Sequence, residues 1–272
     1  MALTFTLLGT GSPRPSRRRS QPANVLHTDH GPLLLDAGEG TIDQLLDLGI
    51  SPRDVRGILF THMHKDHILG YPAVVWGGWT LGRPELSVTG PPGTRRMHDL
   101  LFKELYADDI TYSKGIGFEE QALAGVAVTE IESGATFETH GLAVSTTQTI
   151  HSFYNLAYRF EHEGTSVVFT GDTTYCEDVV ELAAGADAMV CEVTLAESPE
   201  YDNERGRRIL TLLEKDHCDP AMAGRMAAEA GVGRLIVNHL IPGARTDLIA
   251  AGLAREFAGP ITVGEDLMTF SV

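Results

Sequence analysis

Ten residues, THMHKDHILG from Thr61 to Gly70, constrain the folding of this chain more than any other stretch. Four side chains able to bind a metal, His62, His64, Asp66 and His67, fall within six positions. The apolar run Gly57-Ile58-Leu59-Phe60 ahead of them predicts a buried strand ending at Thr61, and Ile68, Leu69, Val74 and Val75 behind them predict a helix start. The four side chains therefore belong to a tight strand-to-helix turn. His62 and His64, two apart, lean to one side of an extended segment. Asp66 and His67 are adjacent and diverge in a turn. One turn can then feed two neighbouring ions, with two imidazoles for one and a carboxylate plus an imidazole for the other. That donor set suits zinc, and also iron or manganese.

The chain has 272 residues, enough for a large core, with 43% hydrophobic and 21% charged residues, as in ordinary globular enzymes. Its net charge of −16 argues against a generalised nucleic-acid surface, which needs a basic excess to release counterions. Three widely spaced cysteines, Cys176, Cys191 and Cys218, do not read as a disulfide framework. The opening MALTFTLLGTG has no positive start and reads as a first strand, not a signal peptide. No apolar run of about 18 residues predicts a membrane span, so no membrane partner and a cytoplasmic location are expected.

Further along, the periodicities predict strands over 3–8, 23–27, 32–37, 126–131, 142–149, 166–170, 189–193, 235–237 and 261–263. Helices are expected over 42–48, 93–106, 176–184 and 246–257, another carries Met222, Met226 and Ala230 on one face, and a loop with a short helix spans 195–214. PRPSRRRSQP, from Pro13, is a loop carrying Arg14, Arg17, Arg18 and Arg19; it is either a solvated loop or an anion-attracting rim. Trp76 and Trp79 read as core, or as a wall for an apolar leaving group. Residues 107–125 are polar and glycine-dotted, suited to a lid or a dimer loop.

The string H-x-H-x-D-H resembles the signature of the metallo-β-lactamase superfamily. LGTGSPRPSRRRSQP from Leu8, LLLDAGEGT ending at Thr41 and HILGYPAVVWGGWTLGRPELSVTGPPG from His67 resemble its ribonuclease Z branch, with the first of these closer to arylsulfatase and cyclic-phosphodiesterase relatives. The resemblance covers nearly the whole chain. It implies an α/β fold, a four-layer αββα sandwich, with the metals at one sheet edge. No repeat, low-complexity segment or linker divides the sequence, so residues 1–272 read as one hydrolase domain.

The resemblance also implies a ligand order. His151, at the end of one alternating strand and before another, matches the third motif and joins His62 and His64. Asp172 in GDT matches the bridging carboxylate. His239 in NHL joins Asp66 and His67 on the second ion. Asp36 matches a residue that supports the metal loop from behind without being a ligand. Glu192 in VCEVT is retained from a HEATF-type string whose histidine is replaced by Cys191. His217 matches the histidine of an HST-type string, with Cys218 and Asp219 replacing the serine and threonine.

Two divalent ions in that cage, zinc first with manganese or iron as alternatives, acidify water toward a pKa of about 7, so that a bridging hydroxide attacks a polarised phosphoryl group in line. His217 is then the candidate to protonate the leaving oxygen, Glu192 to orient it, and Asp66 to double as ligand and proton acceptor. The expected function is a dinuclear phosphodiesterase-type hydrolase acting on a small-molecule ester. Arylsulfatase, lactonase and β-lactamase chemistries are alternatives at the same site, and a non-catalytic partner of a processing complex is the alternative class. The resemblance suggests a homodimer. Enzymes that process transfer RNA in this branch carry a long arm between the third histidine and the bridging aspartate; here that span is little more than one hairpin, which makes tRNA unlikely.

Overall fold

The structure, a computed structural model, describes residues 3–118 and 125–272. The first half supplies β1 (Thr4–Gly9), β2 (Ala23–His27), β3 (Leu33–Leu35), α1 (Thr41–Asp47), β4 (Gly57–Leu59), α2 (Lys65–Ile68), α3 (Tyr71–Thr80), β5 (Leu86–Gly90), α4 (Thr94–Asp99), α5 (Ala107–Gly115) and β6 (Val126–Glu130). The second supplies β7 (Thr136–Thr139), β8 (Leu142–Gln148), β9 (Leu156–His162), β10 (Thr165–Phe169), α6 (Glu177–Leu182), β11 (Ala188–Glu192), α7 (Glu204–Leu213), α8 (Pro220–Ala230), β12 (Leu235–Asn238), α9 (Thr246–Glu256), β13 (Ile261–Val263) and β14 (Thr269–Ser271). They form two seven-stranded sheets, ordered β14-β1-β2-β3-β4-β5-β6 and β13-β12-β11-β10-β9-β8-β7.

Side-chain alternation makes the layers. In β3, Leu33 and Leu35 face the second sheet and pack with Leu156, Tyr158, Val167 and Ile236. Leu34, between them, faces outward and packs with Leu45, Val74 and Val75 of the covering helices. A strand buried on both faces has to be apolar throughout, which is why this one reads LLL. The second sheet repeats the pattern, with Val168, Met189, Cys191, Leu235 and Val237 packed against α6, α8 and α9. The expected αββα sandwich is what forms.

Each sheet holds a parallel block: β3 to β6 in one, β10 to β13 in the other. Carboxyl ends of parallel strands are where open α/β sheets bind ligands. Asp36, Thr61, Asp172, Glu192 and His239 all lie at or just past such ends.

Several elements differ from expectation. The helix predicted over 93–106 is α4 followed by a π-helical stretch, Leu100–Leu105, in which the Tyr106 amide bonds to the Leu101 carbonyl at 2.8 Å. The wider turn leaves Phe102 buried against Tyr71, Trp76 and His98. Trp79 is buried and Trp76 packs on Trp79 and Tyr106, as the core reading expects. The start of the 107–125 segment is helical, as α5; residues 119–124 of that expected lid or dimer loop lie outside the described residues. The three cysteines are free and buried. Among the described residues no helix is long and apolar enough to cross a membrane.

Candidate metal centre

The turn after β4 is held by a carboxylate beneath it. Asp36 accepts the Thr61 amide on Oδ1 at 2.8 Å, and the Thr61 hydroxyl and His67 Nδ1 on Oδ2 at 2.9 and 2.8 Å. Asp36 adopts φ 62°, a conformation that non-glycine residues rarely take and that recurs at functional sites. With Nδ1 facing Asp36, His67 turns Nε2 toward the cavity. The Tyr158 hydroxyl donates to the Phe60 carbonyl at 2.8 Å, and the Leu156 amide to Thr61 at 3.0 Å, so the second sheet grips the same turn.

Three more strand ends bring the remaining side chains. His151 follows β8, Asp172 follows β10 and His239 follows β12. His62 Nε2 lies 3.0 Å from His64 Nδ1, which lies 3.2 Å from His151 Nε2; Asp172 Oδ2 is 3.7 Å from His62 Nε2. On the other side, His67 Nε2 and His239 Nε2 are 3.4 Å apart, Asp66 Oδ2 is 3.7 and 3.3 Å from them, and Asp172 Oδ1 is 3.5 Å from each. Ligand bonds of about 2.0–2.1 Å give a tetrahedron edges of about 3.3 Å. Both clusters have edges of that length, and they share Asp172. The seven side chains expected from the sequence therefore lie together, each oxygen of Asp172 facing one group.

The electrostatics fit a cation. Asp172 Oδ1 is buried without a hydrogen-bond partner, a situation that costs about 1–3 kcal/mol unless something positive sits there. Burial opposes the ionised form of Asp172, but His239 and His67 overcome it and hold the carboxyl well below its usual range. His62 is driven well down by burial and by His67, and His64 falls to about 4 through burial and His151. Burial would also lower His67 and His239, yet Asp172, with Asp36 at the first and Asp66 at the second, raises both. These buried carboxylates favour positive charge at this place, which a dication would supply.

The outer contacts of the cage follow one pattern. Thr194 Oγ1 lies 2.8 Å from His239 Nδ1, the Asp216 carbonyl 3.1 Å from His151 Nδ1, and Thr61 Oγ1 3.0 Å from His62 Nδ1. His239 itself sits at φ 57°. Beside the cage, His217 Nδ1 meets Glu192 Oε1 at 2.8 Å. Glu192 also accepts the amides of Cys218 and Thr194 at 3.1 and 2.8 Å. Burial lowers the His217 pKa, but the charge and hydrogen bond of Glu192, then Asp172 and Asp216, push it up to about 9. A His217 ring nitrogen lies within 4.8 Å of the ligand atoms of Asp172 and His239.

The family model described as "Beta-lactamase superfamily domain" matches residues 32–240. The chain belongs to that superfamily. It is 31% identical over 274 residues to a protein named Ribonuclease Z from Mycobacterium marinum, covering 97% of each. Among solved structures it resembles the metallo-β-lactamase fold protein YhfI from Bacillus subtilis (TM-score 0.77, 18% identity, all of both chains). It also resembles a diphosphatase of the PhnP family (TM-score 0.73, 17% identity, 100% of this chain and 98% of that one). The expectation of a metal-dependent hydrolase agrees with this membership.

Some contacts around the cage have no sequence signal. Thr194, the Asp216 carbonyl and Asn155, whose amide donates to the Asp172 carbonyl at 2.9 Å, are isolated residues brought in by tertiary structure. The arginine loop is partly structural: Arg19 donates to Thr10 Oγ1 and the Gly264 carbonyl, and Arg14 pairs with Glu200 at 3.3 Å. Arg17 and Arg18 remain exposed. A separate cavity of about 300 Å³, lined by His27, His30, His140 and His162, lies at the opposite strand ends. Among the described residues its imidazoles do not converge as the cage does.

Proposed function

We propose that this chain is a phosphodiesterase-type hydrolase whose centre takes two divalent ions, zinc first and manganese or iron as alternatives. His62, His64 and His151 would hold one, Asp66, His67 and His239 the other, and Asp172 both. The observation that carries the reading is Asp172, one oxygen facing each histidine group. Bound dications supply Lewis-acid charge at a phosphoryl oxygen and acidify water.

The chain's own residues do the rest. Glu192 accepts the amides of Cys218 and Thr194 and fixes His217 through Nδ1. The other ring nitrogen of His217 is then a donor, placed beside Asp172 and His239 to protonate a leaving alkoxide. Asp66, besides its place in the second ligand group, would accept the proton of the attacking water. Asp36, Thr61 and Thr194 keep three imidazoles in one tautomer and one orientation.

The experiment is turnover of bis(p-nitrophenyl) phosphate by protein of known metal content, beside an arylsulfate, a lactone and a cephalosporin. Metal-dependent cleavage of the phosphodiester above the others supports the reading, and no turnover with zinc, manganese or iron sinks it. H217A should lose turnover while keeping its metal.

The relatives named Ribonuclease Z favour a second reading, an RNA substrate. Against tRNA stand the net charge of −16 and the connection from His151 to Asp172, which is only β9, the turn at Glu163-Gly164 and β10. A precursor tRNA in the same panel decides between them. A homodimer is the proposed assembly, tested by light scattering.

A further inference from the structure

A phenyl ring stands against the metal cage with part of its surface open. Phe153 lies two residues after His151 in the loop from β8 to β9, and it is 47% exposed. Its ring centroid is 3.9 Å from that of His64, the planes tilted by 44°. Ile150, in the same loop, is 51% exposed. Exposed apolar side chains are common singly, but this one touches a proposed ligand.

The loop that carries it is fixed. The Thr149 amide bonds to the Asn155 carbonyl at 3.0 Å, and Asn155 Nδ2 returns to Thr149 Oγ1 at 2.7 Å. The Ser152 hydroxyl donates to the Asp216 carboxylate at 2.7 Å, and the Tyr154 hydroxyl accepts the Ser133 amide at 2.9 Å. Both residues flanking Phe153 are therefore tied to other parts of the molecule. An aromatic ring held this way binds a flat group with little further loss of side-chain freedom, and every nucleobase offers a π-face.

We propose that Phe153 is a stacking platform that selects phosphate esters bearing a flat aromatic group, a nucleobase above all. The inference rests on the phosphodiesterase reading and names the substrate class of that same site. A ring that only props His64 would matter equally to every ligand and to the metal. A platform matters only to ligands with a planar group.

Calorimetry on the zinc-loaded protein separates the two, with adenosine 5′-monophosphate and ribose 5-phosphate as probes and zinc content measured in each sample. The wild type should bind the nucleotide about tenfold more tightly than the sugar phosphate. F153A should erase that difference by weakening the nucleotide alone, at unchanged zinc content, and F153W should retain it. Equal weakening of both probes, an unchanged preference in F153A, or no preference in the wild type overturns the proposal. The measurement needs no turnover, so a protein that prefers the nucleotide yet cleaves no phosphodiester would count against the hydrolase reading and leave the platform standing.

Discussion

His217 carries the clearest residue-scale prediction. Its folded pKa of about 9 lies above the ordinary 6.5, so its ion pair with Glu192 contributes stability in full below about pH 6.5 and loses it as pH rises through about 9. As the proposed proton donor it would work on the same side. Turnover should fall as pH rises through that region, and a pH–rate profile of the wild type beside H217Q checks it. The variant should lose about 10²–10⁴-fold in kcat together with the alkaline limb. Thr194 gives a second test. T194V removes the partner of His239 Nδ1 at nearly constant shape, and zinc affinity should fall about 10–100-fold by competition with a chelating dye.

The elements matter through the strand ends they align. Gly171 precedes Asp172 at φ 60°, where a Cβ would come within 2.8 Å of the Asn155 amide and 3.0 Å of Thr61. G171A should therefore cost about 1–2 kcal/mol in backbone conformation alone and lower the bound zinc, read by urea unfolding and metal analysis. Much at this scale was legible in advance. The strand before Thr61 and the crowding of His62, His64, Asp66 and His67 are local patterns, and local patterns survive in a string of letters. His151, Asp172 and His239 are each alone in sequence, and only the family resemblance singled them out. β7 and β14 have three or four residues and too few alternations to register, and the π-helical stretch over Leu100–Leu105 keeps a helix-like spacing of apolar residues. The carbonyls and hydroxyls behind the imidazoles have no spacing rule at all.

For the whole molecule, the cage is a clasp between the two sheets. His62, His64, Asp66 and His67 come from one, and His151, Asp172 and His239 from the other. The buried carboxylates raise the proton affinity of His67 and His239, so zinc uptake there should release protons. Titration in buffers of different ionisation enthalpy measures that number, and a heat independent of buffer would contradict it.

The last strand has a consequence of its own. β14 returns from the second half to lie along β1, pairing Thr4 with Ser271 and Thr6 with Thr269, with hydroxyl contacts of 3.0 and 2.8 Å across the pair. Deleting 269–272 would leave every side chain of the cage in place and bare unsatisfied amides and carbonyls along β1, a template for another chain. Such a shortened protein should retain zinc while fresh yet turn cloudy on standing, by light scattering over hours at micromolar concentration. Residues 269–272 would then be guardians of solubility, lying outside the cage.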